Sequence, residues 1–153
     1  LDLLVHASTD AYRHTVADGP LEQLDHHYLV NLRAPYALTQ ALLPVLKRSG
    51  GQVIFVTSDG ALYAEVGDAH SGPTLFGQRA LADSLRDECI QHGVRVLNLF
   101  AAEVSDDDGP VDPLATRWRL RPSDIARTVV AACSLGPTVE VTELRVRPLQ
   151  QVG

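Results

Sequence analysis

Few side chains in this sequence have both the type and the setting to do chemistry. His6 and His70 titrate near neutrality and can act as acids or bases there. His6 closes a short apolar run and His70 follows a Gly-rich loop. The alternatives are a strand-end histidine that satisfies its neighbours and an exposed loop histidine. Ser58 follows an apolar, β-branched run, and Asn31 lies in a stretch of helical periodicity. Serine and asparagine at such places can equally cap a loop or hold a backbone carbonyl. Cys89 and Cys133 fall among apolar neighbours, where free thiols act as small hydrophobes, so neither a disulfide nor a metal site follows. The only lysine, Lys47, reads as a solvated charge at a helix end, and Asp83 with Arg86 as a solvated surface pair.

These residues must be positioned by regular elements, and the hydrophobic pattern supplies them. Residues 2–7 form a short apolar run that reads as a buried strand. From Pro20 to Lys47 apolar side chains recur at helical spacing, with a bend at Pro35 and an end at Gly50-Gly51. Gln52 to Thr57 has the continuous apolar character of a strand covered on both faces. A helix from about Thr74 to Gln91 is closed by His92-Gly93, and a strand follows at 94–99. The stretch 101–121 is polar and reads as a mobile loop; Ser123 is placed to cap a helix to about Leu135, and Glu140 to Val146 forms the last strand. Strand and helix alternate throughout, which predicts a parallel sheet with helices on both faces.

Composition narrows the functional classes. The 153 residues are enough for one compact domain, and 45% apolar with 21% charged residues is ordinary for a folded chain. A net charge of −6 offers no basic surface for nucleic acid or an anionic membrane. No apolar run is long enough to span a bilayer, and the first residues lack a signal-peptide pattern, so a cytoplasmic protein is expected. The absence of methionine leads to the expectation that a segment precedes Leu1.

Four segments carry a resemblance. Leu1-Asp-Leu-Leu-Val-His-Ala, Leu29-Val-Asn-Leu-Arg-Ala-Pro-Tyr, Gln52-Val-Ile-Phe-Val-Thr-Ser and Leu81-Ala-Asp-Ser-Leu-Arg-Asp-Glu are similar, in order and spacing, to successive elements of short-chain dehydrogenases and reductases. The tail from Glu143 resembles the ending of a reductase branch. The resemblance implies a Rossmann-like, doubly wound α/β fold of three layers. It also implies that residues 1–153 are a single partial domain lacking the nucleotide-binding N-terminal half. That half would bring a Gly-rich turn against the cofactor pyrophosphate and the residue that selects NAD or NADP.

The same resemblance assigns site positions. It places the family's relay asparagine at Asn31, its serine at Ser58, its tyrosine at Ser71 and its lysine at Leu75. A serine hydroxyl is far too weak an acid to replace a phenol near neutral pH, and leucine supplies neither charge nor a hydrogen bond. Tyr63 stands five residues after Ser58 with no lysine four beyond it, which leaves His70 as the better substitute acid. The cofactor-facing motifs are also altered. The segment expected near the adenine reads His6-Ala7-Ser8-Thr9; the one expected near the nicotinamide reads Ala101-Ala102-Glu103-Val104-Ser105-Asp106, where a carboxylate at Asp106 would repel phosphate.

Two functional expectations follow. One is a non-catalytic scaffold or binding subunit, without metal or confidently assigned cofactor, forming a homo-oligomer through the helices at about 20–47 and 74–91 and open to a small-molecule ligand. Tyr36, Leu42, Phe76 and Leu85 are the apolar residues offered for that contact. The other is an oxidoreductase using NAD or NADP, with a non-standard proton donor. A third possibility is an inactive remnant. The first strand is expected to pair with an upstream segment or another chain, because an exposed sheet edge invites pairing.

Overall fold

The computed structural model describes residues 1–105, 108–109 and 119–149. Four strands, β1 (Leu3–His6), β2 (Gln52–Ser58), β3 (Arg95–Ala101) and β4 (Glu143–Val146), form one parallel sheet in the order β1-β2-β3-β4. Their register pairs Leu3 with Gln52, Gln52 with Arg95, and Asn98 with Glu143. Helices α1 (Leu21–Tyr28), α2 (Ala34–Ser49), α3 (Ser71–Cys89) and α4 (Pro122–Cys133) occupy the connections.

Two apolar layers hold the helices on opposite faces of the sheet. On one, Leu46 of α2 and Ala82, Leu85 and Cys89 of α3 pack with Val53, Phe55 and Val96 of the strands. On the other, Val129, Ala132 and Cys133 of α4 pack with Ile54, Leu97 and Leu144. The alternation of Val53 and Phe55 against Ile54 follows from the two-residue period of a strand. The result is the expected three-layer, Rossmann-like arrangement.

Several local expectations change. Leu3 and Val5 are exposed on β1 while Leu4 and His6 are buried, so β1 is covered on one face only. The bend expected at Pro35 is a wide π turn at Leu29–Arg33 between α1 and α2. Proline has no N–H to give the Asn31 carbonyl four residues earlier, and the Gln78 side-chain amide supplies the missing donor at 2.9 Å. Helix α3 begins at Ser71, three residues earlier than its pattern indicated.

The cap of α4 is Arg121, not Ser123. Pro122 opens the helix, and the Asp124 carboxylate accepts the Arg121 N–H at 3.0 Å. Leu120 is buried in the stretch read as a polar loop, and it pairs with Val104. Arg86 is also more than half of a solvated pair. It bonds Asp83 at 2.8 Å, the Val96 carbonyl at 3.1 Å and the Thr142 carbonyl at 3.2 Å, tying α3 to β3 and to the approach to β4. No described helix is long and apolar enough to cross a membrane.

Candidate functional site

All four strands run parallel, so their C-terminal ends share one edge of the sheet, the usual ligand-binding edge of open α/β sheets. A cleft of about 930 Å³ opens there. Ser58 enters it from the end of β2, Ser71 and Leu75 from the first turns of α3, and Ala102 from beyond β3. Ala11, Arg13 and Asp68 wall one side; Tyr63, Arg145 and Arg147 also line it.

Ser58 marks the strand's end. Its Oγ accepts the Gly60 N–H at 3.1 Å and so caps the short 3-10 turn Asp59–Ala61. Ser71 is buried, and its carbonyl accepts the Thr74 hydroxyl at 2.8 Å. Leu75 is 2% exposed and packs with Ala61, Leu62 and Phe100. The position the resemblance gives to lysine is thus part of an apolar cluster.

Asn31 lies off the cleft and is fully committed. Its Oδ1 accepts the Asp10 N–H at 2.7 Å, and its Nδ2 donates to the Asp10 carbonyl at 2.7 Å and to Thr74 Oγ1 at 3.0 Å. It fastens the loop after β1 to the start of α3.

His70, expected in an exposed loop if not an acid, is instead buried as the residue before α3. Its ring faces His14 at 5.1 Å and His27 at 6.0 Å between centroids, and it does not line the cleft. His6 is buried, bonded through Nε2 to Thr39 Oγ1 at 2.8 Å and stacked on Phe55. Burial holds its pKa below the ordinary histidine value.

The remaining positions expected to meet a cofactor are dispersed. Ala7 is exposed beyond β1, Ala101 is buried within β3, and Val104 bridges to Leu120; Ala102 alone of that group faces the cleft. Asp106 lies outside the described residues. Among the described residues no cluster of histidine, cysteine and acidic side chains has the arrangement to hold a metal ion.

The cleft contains an array that local spacing did not reveal. The Tyr63 hydroxyl donates to Asp59 Oδ2 at 2.6 Å and accepts from the Arg145 guanidinium at 2.8 Å, which also lies 5.1 Å from the centre of the Tyr63 ring. Arg145 bonds Asp59 as well, at 3.3 Å. The hydrogen bond to Asp59 pushes the phenol pKa above its usual value, and Arg145 opposes that shift. Tyr63 has no lysine near it in sequence; its cation comes from β4, 82 residues away.

Comparison with known proteins bears on the family and the fold. The family model described as short chain dehydrogenase matches residues 1–107. The chain belongs to the short-chain dehydrogenase family. An uncharacterized oxidoreductase of Staphylococcus epidermidis is 27% identical over 150 residues, covering 97% of this chain and 65% of the relative. A sepiapterin reductase of Chlorobaculum tepidum is 29% identical over 150 residues, covering 97% and 62%. The chain therefore spans a little under two thirds of these relatives.

Among solved structures, an alcohol dehydrogenase from the archaeon Thermococcus sibiricus, complexed with 5-hydroxy-NADP, superposes with a TM-score of 0.88. It is 26% identical, covering all of this chain and 65% of that one. A metagenomic short-chain oxidoreductase in complex with NADP has a TM-score of 0.79 at 24% identity, covering 98% and 62%, and shows the shared fold.

At the position where the resemblance places the family's lysine, Leu75 packs against Ala61 and Phe100 and presents neither charge nor a hydrogen-bonding group.

Proposed function

We propose that this chain is a short-chain dehydrogenase relative that has lost the family's proton-transfer machinery and serves as a non-catalytic scaffold or binding subunit. The observation that carries this reading is Leu75 buried in an apolar cluster where the resemblance places a lysine, one turn after Ser71 at the tyrosine position. Loss of a positioned acid typically costs about 10²–10⁴-fold in rate. The cleft lined by Ser58, Ser71 and Tyr63 is the place for a small-molecule ligand.

The partner in this reading is a second copy of the chain, meeting it through the long helices. Tyr36 and Phe76 are 51% and 40% exposed and available for that contact; Leu85 belongs to the core and Leu42 packs against it.

A second reading retains oxidoreduction with Tyr63 as proton donor, supported by its hydrogen bond from Arg145 inside the cleft. In that role the phenol would give its proton to a substrate carbonyl oxygen.

One experiment separates the two. The intact natural protein, its mass measured first, is titrated with NADPH and NADH and assayed on a panel of aldehydes and ketones. The scaffold reading expects no saturable binding and no turnover. Saturable binding with turnover that Tyr63→Phe abolishes would replace it with the second reading.

A further inference from the structure

Three imidazoles meet between α1, the start of α3 and the loop after β1. His27 is fully buried, and neither ring nitrogen has a hydrogen-bond partner; His70 is buried with Nδ1 unpartnered. His14, from the loop, stands 5.1 Å from His70, and His27 stands 6.0 Å from it, centroid to centroid.

Two carboxylates bear on this cluster. Asp10 bonds the half-exposed His26 at 2.8 Å and lies 3.7 Å from His27. Tyr12 covers His27 from the same loop at 6.5 Å, and Asp18 is close enough to His14 to feel its charge. With His26 holding one oxygen of Asp10, a positive charge on the buried His27 would have little else to offset it.

The loop that covers the cluster also walls the cleft. His14 N–H donates to the Gly67 carbonyl at 2.7 Å, and the Ala69 N–H donates to the His14 carbonyl at 3.2 Å, so residues 14 and 68 pair like a fragment of parallel sheet. Ala11 and Arg13 of this loop line the cleft. The chain then passes directly over His70 at Gly19, where an added Cβ would lie 2.4 Å from His70 Nε2.

We propose that His14, His27 and His70 form an acid-sensitive latch that holds the loop carrying Ala11 and Arg13 against the cleft, and that protonation of the cluster releases it. The inference rests on the packing of the loop and is independent of whether the cleft is catalytic. Burial pushes the His27 pKa below its ordinary value, with the charges of His70, His26 and His14 adding to that shift and Asp10 opposing it. A histidine with a depressed folded pKa contributes stability that is complete above its unfolded value. That stability is lost as pH falls through the folded value. The latch is therefore closed at neutral and alkaline pH and opens on the acid side.

Hydrogen exchange reads the loop directly, because the amides of His14 and, opposite it, Ala69 are hydrogen-bonded across the loop's edge when it is closed. Protection factors, corrected for intrinsic rates, are measured on the intact protein at about pH 7.5 and about pH 5, with the amides of β2 and β3 as internal reference. The expected result is a loss of about tenfold or more at the loop amides with β2 and β3 unchanged, and little or no loss in His27→Leu. If His27→Leu does not fold, His14→Gln at the rim is used, and the acid response should again shrink. An equal loss across loop and strands, no loss in the loop, or a full response in the folded variant would each overturn the latch.

Discussion

Asn31 holds Asp10 by both of its backbone groups, accepting the N–H and donating to the carbonyl at 2.7 Å each. Such a two-point clamp fixes the loop's path in space, and the bond from Asn31 Nδ2 to Thr74 Oγ1 at 3.0 Å joins that path to α3. This placement accounts for the asparagine without invoking proton relay. Asn31→Ala should therefore destabilise the protein by about 2–4 kcal/mol, because buried polar groups are left without partners. Urea unfolding checks the magnitude. A variant as stable as the wild type would show that the clamp contributes little.

Leu75 gives a contrast between two substitutions at one site. It is buried with Ala61, Leu62 and Phe100, so Leu75→Ala should cost about 2–4 kcal/mol through the cavity it leaves. Leu75→Lys, the change that restores the family residue, should cost at least as much, because an ammonium group would enter an apolar cluster. Thermal unfolding of both variants decides it. A stable Leu75→Lys protein would mean that the pocket still accepts the family's lysine, and would weaken the scaffold reading.

The framework was readable because its signals are local. The apolar runs at β2 and β3, the helical periodicity of α1 to α3 and the glycines at 50 and 93, both with positive φ, depend on neighbours in the chain. An interruption of the helix near Pro35 was legible for the same reason, whereas its form as a π turn at Leu29–Arg33, with Gln78 donating to Asn31, was not. What the sequence hid was set by distant partners. Arg86 looked like a surface charge until the Val96 and Thr142 carbonyls came to it, and Tyr63 looked unassisted because Arg145 reaches it from the last strand. His70 follows a loop in sequence, and the rings that pack against it, His14 and His27, come from other elements.

Arg86 is one of the side chains that fasten α3 to the strands beneath it, with Arg79 bonded to Glu143 and Asp83 to Asn98. Its guanidinium serves the carbonyls of Val96 and Thr142 while pairing with Asp83, and Glu140 lies 3.9 Å away. A planar fork can satisfy divergent acceptors that an ammonium cannot reach together. Arg86→Lys is expected to lose nearly as much stability as Arg86→Ala, about 2–3 kcal/mol in each case. Chemical denaturation of the pair tests it. Full rescue by lysine would reduce the interaction to simple charge.

Tyr63 sits between opposing influences, and its titration can reveal which of them prevails. Asp59 accepts the phenol hydrogen and repels the phenolate, whereas Arg145 favours the phenolate; the balance holds the pKa above the usual tyrosine value. Asp59→Asn should lower the Tyr63 pKa, and Arg145→Gln should raise it further, read by following the labelled Tyr63 ring carbon through an NMR titration at alkaline pH. A phenol that stays protonated far above neutrality is a poor match for general acid catalysis, which is most efficient when the acid's pKa lies near the working pH. If Tyr63 instead titrated below an ordinary tyrosine in the wild-type protein, Arg145 would be acting as the activating cation. The second functional reading would then gain the tuned acid it needs.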